Sequence, residues 1–177
     1  MKMPKRMETK RLVLRVPRRS DAAAIFTDWA QDTEVTRYLT WRPHQQIQET
    51  EAFIQNCLSA WESETRFPYM ITLKESGEVI GMIDPRIDGT KVGIGYGAAR
   101  AYWGKGYVTE ATRAVIDWAF QQPSIFRVYA TTDVENIASR RVLEKVGMQC
   151  EGILRKYILH PNMSDEPRDS YMYAIVN

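Results

Sequence analysis

The sequence predicts an α+β fold of three layers, with a mixed, mostly antiparallel twisted sheet and helices on both of its faces. Runs of β-branched and aromatic residues, typical of strands, occur near both ends and in the middle of the chain. Between residues 67 and 99, three such runs are separated by Ser76-Gly77 and by Asp88-Gly89, which indicates an antiparallel meander. Strands and helices then alternate, which adds helical layers to the sheet.

The N-terminal elements follow from patterning and from turn residues. Residues 11–17 alternate between apolar and basic side chains and predict a strand that proline ends. An alanine-rich helix is expected next, capped by Ser20 or Asp21 and ending near Asp32. Residues 45–64 carry apolar side chains at three- and four-residue spacing, which predicts a long amphipathic helix.

The C-terminal half continues with helices and strands in turn. A helix is expected over residues 108–123, where proline stops it, and a strand follows over 126–134. A second helix is predicted over 136–147, where glycine ends it. Two final strands fit residues 148–160 and 169–176, joined by a polar loop.

Length and composition limit the classes of function. The 177 residues contain no repeat or linker and predict a single domain over residues 1–177. A net charge of +2 is far from that of a dedicated nucleic-acid binder, so no nucleic-acid partner is expected. With two histidines and two cysteines outside any CxxC pair, no metal site is expected. Free thiols and the absence of a long apolar run predict a cytoplasmic protein without a membrane partner.

The segment YWGKGYVTEA, residues 102–111, places two glycines just before a predicted helix. The first amides of a helix lack intrahelical partners and carry partial positive charge. Glycines expose these donors and Lys105 adds a cation, so the loop is suited to a phosphate or pyrophosphate. The loop is not a P-loop, and Thr109 breaks the GxGxxG spacing of dinucleotide-binding proteins. On its own, such a loop before a helix is more often only a tight turn.

The segments that flank the loop carry a family resemblance. VGIGYGAARAYWGKGYVTEATRAVIDWAF, followed by VYATTDVENIASRRVLEKVGMQCEG, resembles the GNAT acetyltransferase superfamily. Within it, the chain is similar to the ribosomal-protein N-terminal acetyltransferases. The likeness runs from ETKRLVLR to RDSYMYAIV, almost the whole chain, and implies a GNAT-like sheet.

This resemblance implies acetyl-CoA as co-substrate and no metal. It places the pantetheine arm along the strand of Gly95–Ala99, like an added strand, and the pyrophosphate at Gly104–Thr109. Ser139 corresponds to a serine near the CoA sulfur, and Asn136 to an asparagine at the pantetheine; together they are the implied catalytic residues. The full set implied to bind the cofactor is Tyr96, Gly97, Ala98, Trp103, Gly104, Lys105, Gly106, Tyr107, Val108, Thr109, Asn136, Ser139 and Lys145.

Two positions depart from the family pattern. Many GNAT enzymes carry a tyrosine as general acid four residues after the Ser139 position, where this chain has Leu143. Related enzymes often carry a glutamate where Gly93 lies. Protonation of the leaving thiol is therefore left to Ser139 or water. The candidates for the general base are Asp84, Asp133, His160 and Glu166.

The family's acceptor groove corresponds to the segments RYLTWRPH and YILHPNMSDEPRD, in which Trp41 and His160 are the candidate substrate contacts. The function implied is direct transfer of an acetyl group to a primary amine, either a protein or peptide N-terminus or a small molecule. The alternative is an acyl-CoA-binding module with little or no transferase activity. Either a monomer or a homodimer is compatible with the sequence.

Overall fold

The computed structural model describes residues 2–64 and 66–177. Its strands are β1 (Arg6–Glu8), β2 (Leu12–Arg15), β3 (Tyr69–Leu73), β4 (Val79–Asp88), β5 (Lys91–Ala98), β6 (Arg127–Asp133), β7 (Gln149–Ile158) and β8 (Arg168–Val176). Its α-helices are α1 (Ala22–Ile25), α2 (Thr33–Thr36), α3 (Ile47–Glu62), α4 (Tyr107–Phe120) and α5 (Ile137–Lys145).

The strands form one sheet in the order β1-β2-β3-β4-β5-β6-β8-β7. Among the described residues, only β5 and β6 pair in parallel, and the other neighbours are antiparallel. A crossover connection is needed between parallel neighbours, and α4 supplies it. The predicted mixed, mostly antiparallel sheet is therefore confirmed.

Helices cover both faces of the sheet. On one face, α4 and α5 bury Val115 and Leu143 against strand residues such as Ile80. On the other face, α1 and α3 bury a separate cluster that contains Trp29 and Ile54. Full burial of each such side chain contributes about 1.5–3 kcal/mol, so both layers are needed for stability.

The structure differs from the sequence-based prediction near the N-terminus. The expected continuous helix up to Asp32 consists of a 3₁₀ turn, α1 and a π-helical turn over Phe26–Ala30. Asp32 then caps α2 by accepting a hydrogen bond from the Glu34 amide, which starts a new helix. Strand β1 has only three residues, too few for its alternation to be recognised in the sequence.

Candidate active site

Strands β5 and β6 diverge within the sheet. They pair only over Lys91–Gly93 and Arg127–Tyr129. Beyond this point, β5 stays on β4 as far as Ala98, whereas β6 stays on β8. The edge of β5 from Ile94 to Ala98 therefore has no strand partner on the β6 side among the described residues, and it can accept an extended ligand as an additional strand.

Gly93 lies where the two strands begin to separate. A Cβ atom added there would lie 2.9 Å from Cζ and 3.0 Å from the hydroxyl oxygen of Tyr129, so a side chain at position 93 would require the Tyr129 ring to move. The Tyr129 ring thus occupies the space next to Gly93.

The glycine loop connects β5 to α4. Gly104 and Gly106 have φ angles of +74° and +79°, which glycine adopts without the strain that a side chain causes. A Cβ atom on Gly104 would meet nothing within 4 Å, so open space lies next to the loop. Trp103 Nε1 donates to the Ala98 carbonyl at 2.8 Å and joins the loop to the end of β5. The loop therefore has room for an anion beside the first amides of α4.

The start of α4 is held by a contact that nothing in the sequence predicts. Glu110 accepts hydrogen bonds from Thr9 Oγ1 at 2.6 Å and from Arg11 Nε at 2.7 Å. Arg11 also donates to the Lys105 carbonyl at 3.0 Å and lies 4.4 Å from the Tyr107 ring. Burial acts to raise the pKa of Glu110, but the bonds from Thr9 and Arg11 outweigh it and lower the pKa. An ionised Glu110 therefore ties the loop to the β1–β2 turn.

The first turn of α5 brings three of the expected residues together. Asn136 Oδ1 accepts the Ser139 amide at 3.1 Å, so Asn136 is the N-cap of the helix. The Tyr96 hydroxyl lies 2.9 Å from Ser139 Oγ. Burial raises the pKa of Tyr96, and its bond to Ser139 only partly offsets this effect. Leu143 is fully buried in the core.

The basic side chains near α4 and α5 differ in the contacts that they make within the protein. Arg140 lies over the Tyr171 ring at 4.9 Å and 4.0 Å from Glu144, so it is engaged within the protein. Lys145 ends α5 and is exposed. Lys105 is exposed as well, with its Nζ atom 5.3 Å from the centre of the Tyr102 ring. Lys105 and Lys145 are therefore accessible to a phosphorylated ligand.

Two of the candidate bases are held by ion pairs. Asp84 is buried and accepts from Arg66 at 2.8 Å and from Arg86 at 3.1 Å. Glu166 is exposed and pairs with Lys156 at 2.6 Å. Both carboxylates are therefore already engaged by cationic side chains.

Asp133 and His160 form a buried pair at the end of β6. Asp133 accepts from Arg168 Nε at 2.7 Å and from the Glu135 amide at 2.9 Å. Burial acts to raise the pKa of Asp133, but the Arg168 hydrogen bond and the other contacts outweigh it and lower the pKa. His160 is 4% exposed, and its Nε2 lies 3.9 Å from Asp133 Oδ2. Both nitrogens of His160 lack a hydrogen-bond partner among the described residues.

The two segments expected to form the acceptor groove meet in the structure. Asn162 Nδ2 donates to the Thr36 carbonyl at 2.7 Å and to the Trp41 carbonyl at 2.8 Å. The Trp41 ring stacks on His44 at 4.7 Å and contributes to the core beneath α3. A polar pocket lies alongside, lined by Thr33, Glu34, Arg37, Glu135, Asn162, Met163 and Arg168.

Comparison with known proteins identifies the family. A family model described as an acetyltransferase (GNAT) domain matches residues 11–149. The chain belongs to the GNAT acetyltransferase family. Among its GNAT relatives is p20 of Bacillus licheniformis, an uncharacterized N-acetyltransferase that is 36% identical over 95% of this chain and 94% of its own. Because these relatives are named N-acetyltransferases, membership of the family identifies this chain as an N-acetyltransferase as well.

Solved GNAT structures agree with the fold. A GNAT acetyltransferase from Bacillus anthracis superposes with a TM-score of 0.84, at 28% identity, over 97% of this chain and 98% of its own. RimJ of Mycobacterium smegmatis, solved in complex with CoA-disulfide, superposes with a TM-score of 0.81 at 26% identity. The match covers 93% of this chain and 81% of the RimJ chain. The resemblance to GNAT enzymes and their ribosomal-protein branch is thereby confirmed.

Two further observations concern membranes and metals. Within residues 2–64 and 66–177, no helix combines the length and the apolar character needed to cross a bilayer. In the same residues, no three or more histidine, cysteine, aspartate or glutamate side chains lie together in a group that could hold a metal ion.

Proposed function

We propose that this GNAT enzyme uses acetyl-CoA to acetylate a primary amine by direct transfer, either at a protein or peptide N-terminus or on a small molecule. The observation that carries the proposal is the gap between β5 and β6 beyond Gly93, which opens next to the glycine loop. The CoA complex of the related RimJ supports the choice of cofactor.

The donor would lie along three features of the chain. The free edge of Ile94–Ala98, which includes the expected residues Tyr96, Gly97 and Ala98, would pair with the pantetheine amides. The loop and first helical turn, Trp103 to Thr109, would bind the pyrophosphate, with Lys105 adding positive charge. Asn136 and Ser139 would lie beside the thioester. Lys145 would contact the phosphates at the far end of CoA.

A primary amine with a pKa near 10 is mostly protonated at neutral pH, so its acetylation removes two protons from the nitrogen. Once a base takes the first proton, the amine lone pair attacks the thioester carbon. The C–S bond then breaks with its electron pair going to sulfur, and the nitrogen gives its second proton to solvent. We propose His160 as that base, because both of its ring nitrogens lack a hydrogen-bond partner among the described residues, whereas Asp84 and Asp133 are each held by arginine side chains.

The acceptor is proposed to enter beside the polar pocket. The Asn162 side chain links Trp41 to the loop that carries His160, which supports both residues as acceptor contacts. The pocket is lined by Glu34 and Glu135 as well as by arginines, so it carries charges of both signs. This mixture is compatible with either an N-terminal amine or a small-molecule amine. A cytoplasmic location is proposed because Cys57 and Cys150 are both free. It remains a prediction that the chain forms a single domain and is a monomer or a homodimer. The expectation that it has no nucleic-acid, membrane or metal partner also remains a prediction.

Acetyl-CoA should stabilise the protein more than ATP or NAD does, since only the first carries a pantetheine arm to pair with β5. At 100 times its dissociation constant, a ligand adds about 2.7 kcal/mol to the free energy of unfolding. Thermal melting with each ligand measures this effect. Equal shifts with all three would contradict the assignment of the cofactor.

The acetyl transfer itself is tested by thiol release on a panel of amines and N-terminal peptides. At least one of them should release CoA in proportion to the acetylated product. Acetyl-CoA binding without release from any amine would favour the acyl-CoA-binding module instead.

Replacement of Ser139 by alanine should lower turnover about ten-fold while changing the affinity for acetyl-CoA much less, because a hydroxyl near sulfur acts on the departing thiolate.

Asn136→Ala should show the opposite pattern: it should weaken CoA binding and remove a helix cap worth about 1 kcal/mol. Steady-state kinetics and calorimetric titration separate the two effects. Full turnover in the Ser139 variant would exclude a role for its hydroxyl.

A further inference from the structure

We propose that Tyr96 is a positioning residue: its phenol donates a hydrogen bond to Ser139 Oγ and so directs the Ser139 proton toward the CoA sulfur. This inference rests on the proposed function, which brings the sulfur to Ser139. It concerns the Tyr96 side chain, whereas the family resemblance implies only a contact between this stretch of strand and the cofactor.

The geometry joins two elements that are distant in the chain. Tyr96 on β5 and Ser139 on α5 are 43 residues apart, with their hydroxyl oxygens 2.9 Å from each other. The Ser139 amide is fixed by Asn136 at 3.1 Å, so the backbone of the serine is held as well. Among the described residues, Tyr96 is the hydrogen-bond partner available to Ser139 Oγ. The phenol therefore controls how the serine hydroxyl is oriented.

The Tyr96 hydroxyl has one proton and two acceptors within reach. It can donate to the Ser139 carbonyl at 3.2 Å, in which case Ser139 Oγ–H donates back to the phenol oxygen. Alternatively it donates to Ser139 Oγ at the shorter distance of 2.9 Å, which leaves the serine proton free for another acceptor. Only the second arrangement supplies a donor to sulfur, and an electron-rich sulfur in the cleft favours it.

Tyr96 positions this proton rather than transferring its own. Burial raises the pKa of Tyr96, whereas a thiol such as that of cysteine has a pKa of about 8.5. Proton transfer from the phenol to a departing thiolate would therefore be unfavourable. When the C–S bond breaks, the electron pair stays on sulfur, and the thiolate accepts a hydrogen bond from Ser139. It takes a proton from solvent after release.

Position 143, four residues after Ser139, carries a leucine and therefore no proton donor. The hydrogen bond to sulfur instead depends on a contact between β5 and α5, which the Tyr96 and Ser139 hydroxyls make.

Binding of CoA and of desulfo-CoA, measured calorimetrically at pH 8, tests the proposal without relying on turnover. The wild-type protein should bind CoA about ten-fold more tightly than desulfo-CoA, because only CoA offers sulfur to the Ser139 hydroxyl. In Tyr96→Phe this preference should fall to about two-fold, with the affinity for desulfo-CoA unchanged. Tyr173→Phe is the matched control, since Tyr173 is also buried and donates to α5, at Glu144 Oε1. It should keep the wild-type preference.

Kinetics give an independent readout. Tyr96→Phe should lower kcat about ten-fold while KM for acetyl-CoA changes by less than about two-fold. The double variant with Ser139→Ala should be no slower than Ser139→Ala alone, because Tyr96 acts through the serine. An unchanged CoA preference in Tyr96→Phe, or additive losses in the double variant, would overturn the positioning role. A wild-type protein that binds neither CoA nor desulfo-CoA would instead refute the proposed function.

Discussion

Replacing Arg168 by methionine should lower the free energy of unfolding by about 3–5 kcal/mol. The side chain of Asp133 has no exposed surface, and Arg168 Nε lies 2.7 Å from its carboxylate. Methionine removes the compensating charge and leaves a buried carboxylate unpaired, which is among the largest single-residue penalties in proteins. Urea denaturation at pH 7 measures the loss.

The same substitution should change how stability depends on pH. In the native protein the pKa of Asp133 is lowered, so its contribution is present above the unfolded value of about 3.9 and is lost as the pH falls through the folded value. Without Arg168, burial should raise this pKa instead. The difference in stability between the two proteins should therefore begin to shrink once the pH falls below the raised pKa of Asp133 in the variant, and it should keep shrinking until the pH passes the lowered pKa of Asp133 in the native protein.

Lys156→Met is the control for removal of a cation. Lys156 pairs with Glu166 at 2.6 Å, but both side chains are mostly exposed, so the loss should stay within about 1 kcal/mol. If Arg168→Met were no more destabilising than Lys156→Met, the buried ion pair would not support the end of β6 as the structure indicates.

Gly104→Ala should weaken acetyl-CoA binding by at least about ten-fold. At φ = +74° an alanine is strained by about 1–2 kcal/mol, and relief of that strain would move the amides that precede α4. The new methyl group would also enter the open space next to the loop. Calorimetric titration with acetyl-CoA measures the change in affinity.

Gly77→Ala separates the loss of binding from backbone strain. Gly77 has the same φ of +74° and equally open surroundings, but it lies in the turn between β3 and β4. Both variants should lose similar stability, and only Gly104→Ala should lose affinity. Equal affinities in the two variants would show that the glycine loop does not contact the cofactor.

Local patterns predicted most of the fold. Spacing of apolar residues indicated α3, and turn residues at Ser76-Gly77 and Asp88-Gly89 indicated the strands on either side, because these signals depend on neighbours in the chain. The break in the first helix was not predictable in this way. It occurs at a π-helical turn that contains Trp29, which is buried in a core formed with residues from other elements.

The sequence by itself determined the family and the order of most elements, and it predicted the residues that a pyrophosphate would meet, because glycine spacing and helix starts are properties of contiguous residues. Only the tertiary structure decided which distant side chains meet. The contact of Glu110 with Arg11 spans 99 residues, and the contact of Tyr96 with Ser139 spans 43. Such partners are fixed by strand register and helix packing, which a linear pattern does not encode. Tyr129 fills the space beside Gly93 for the same reason.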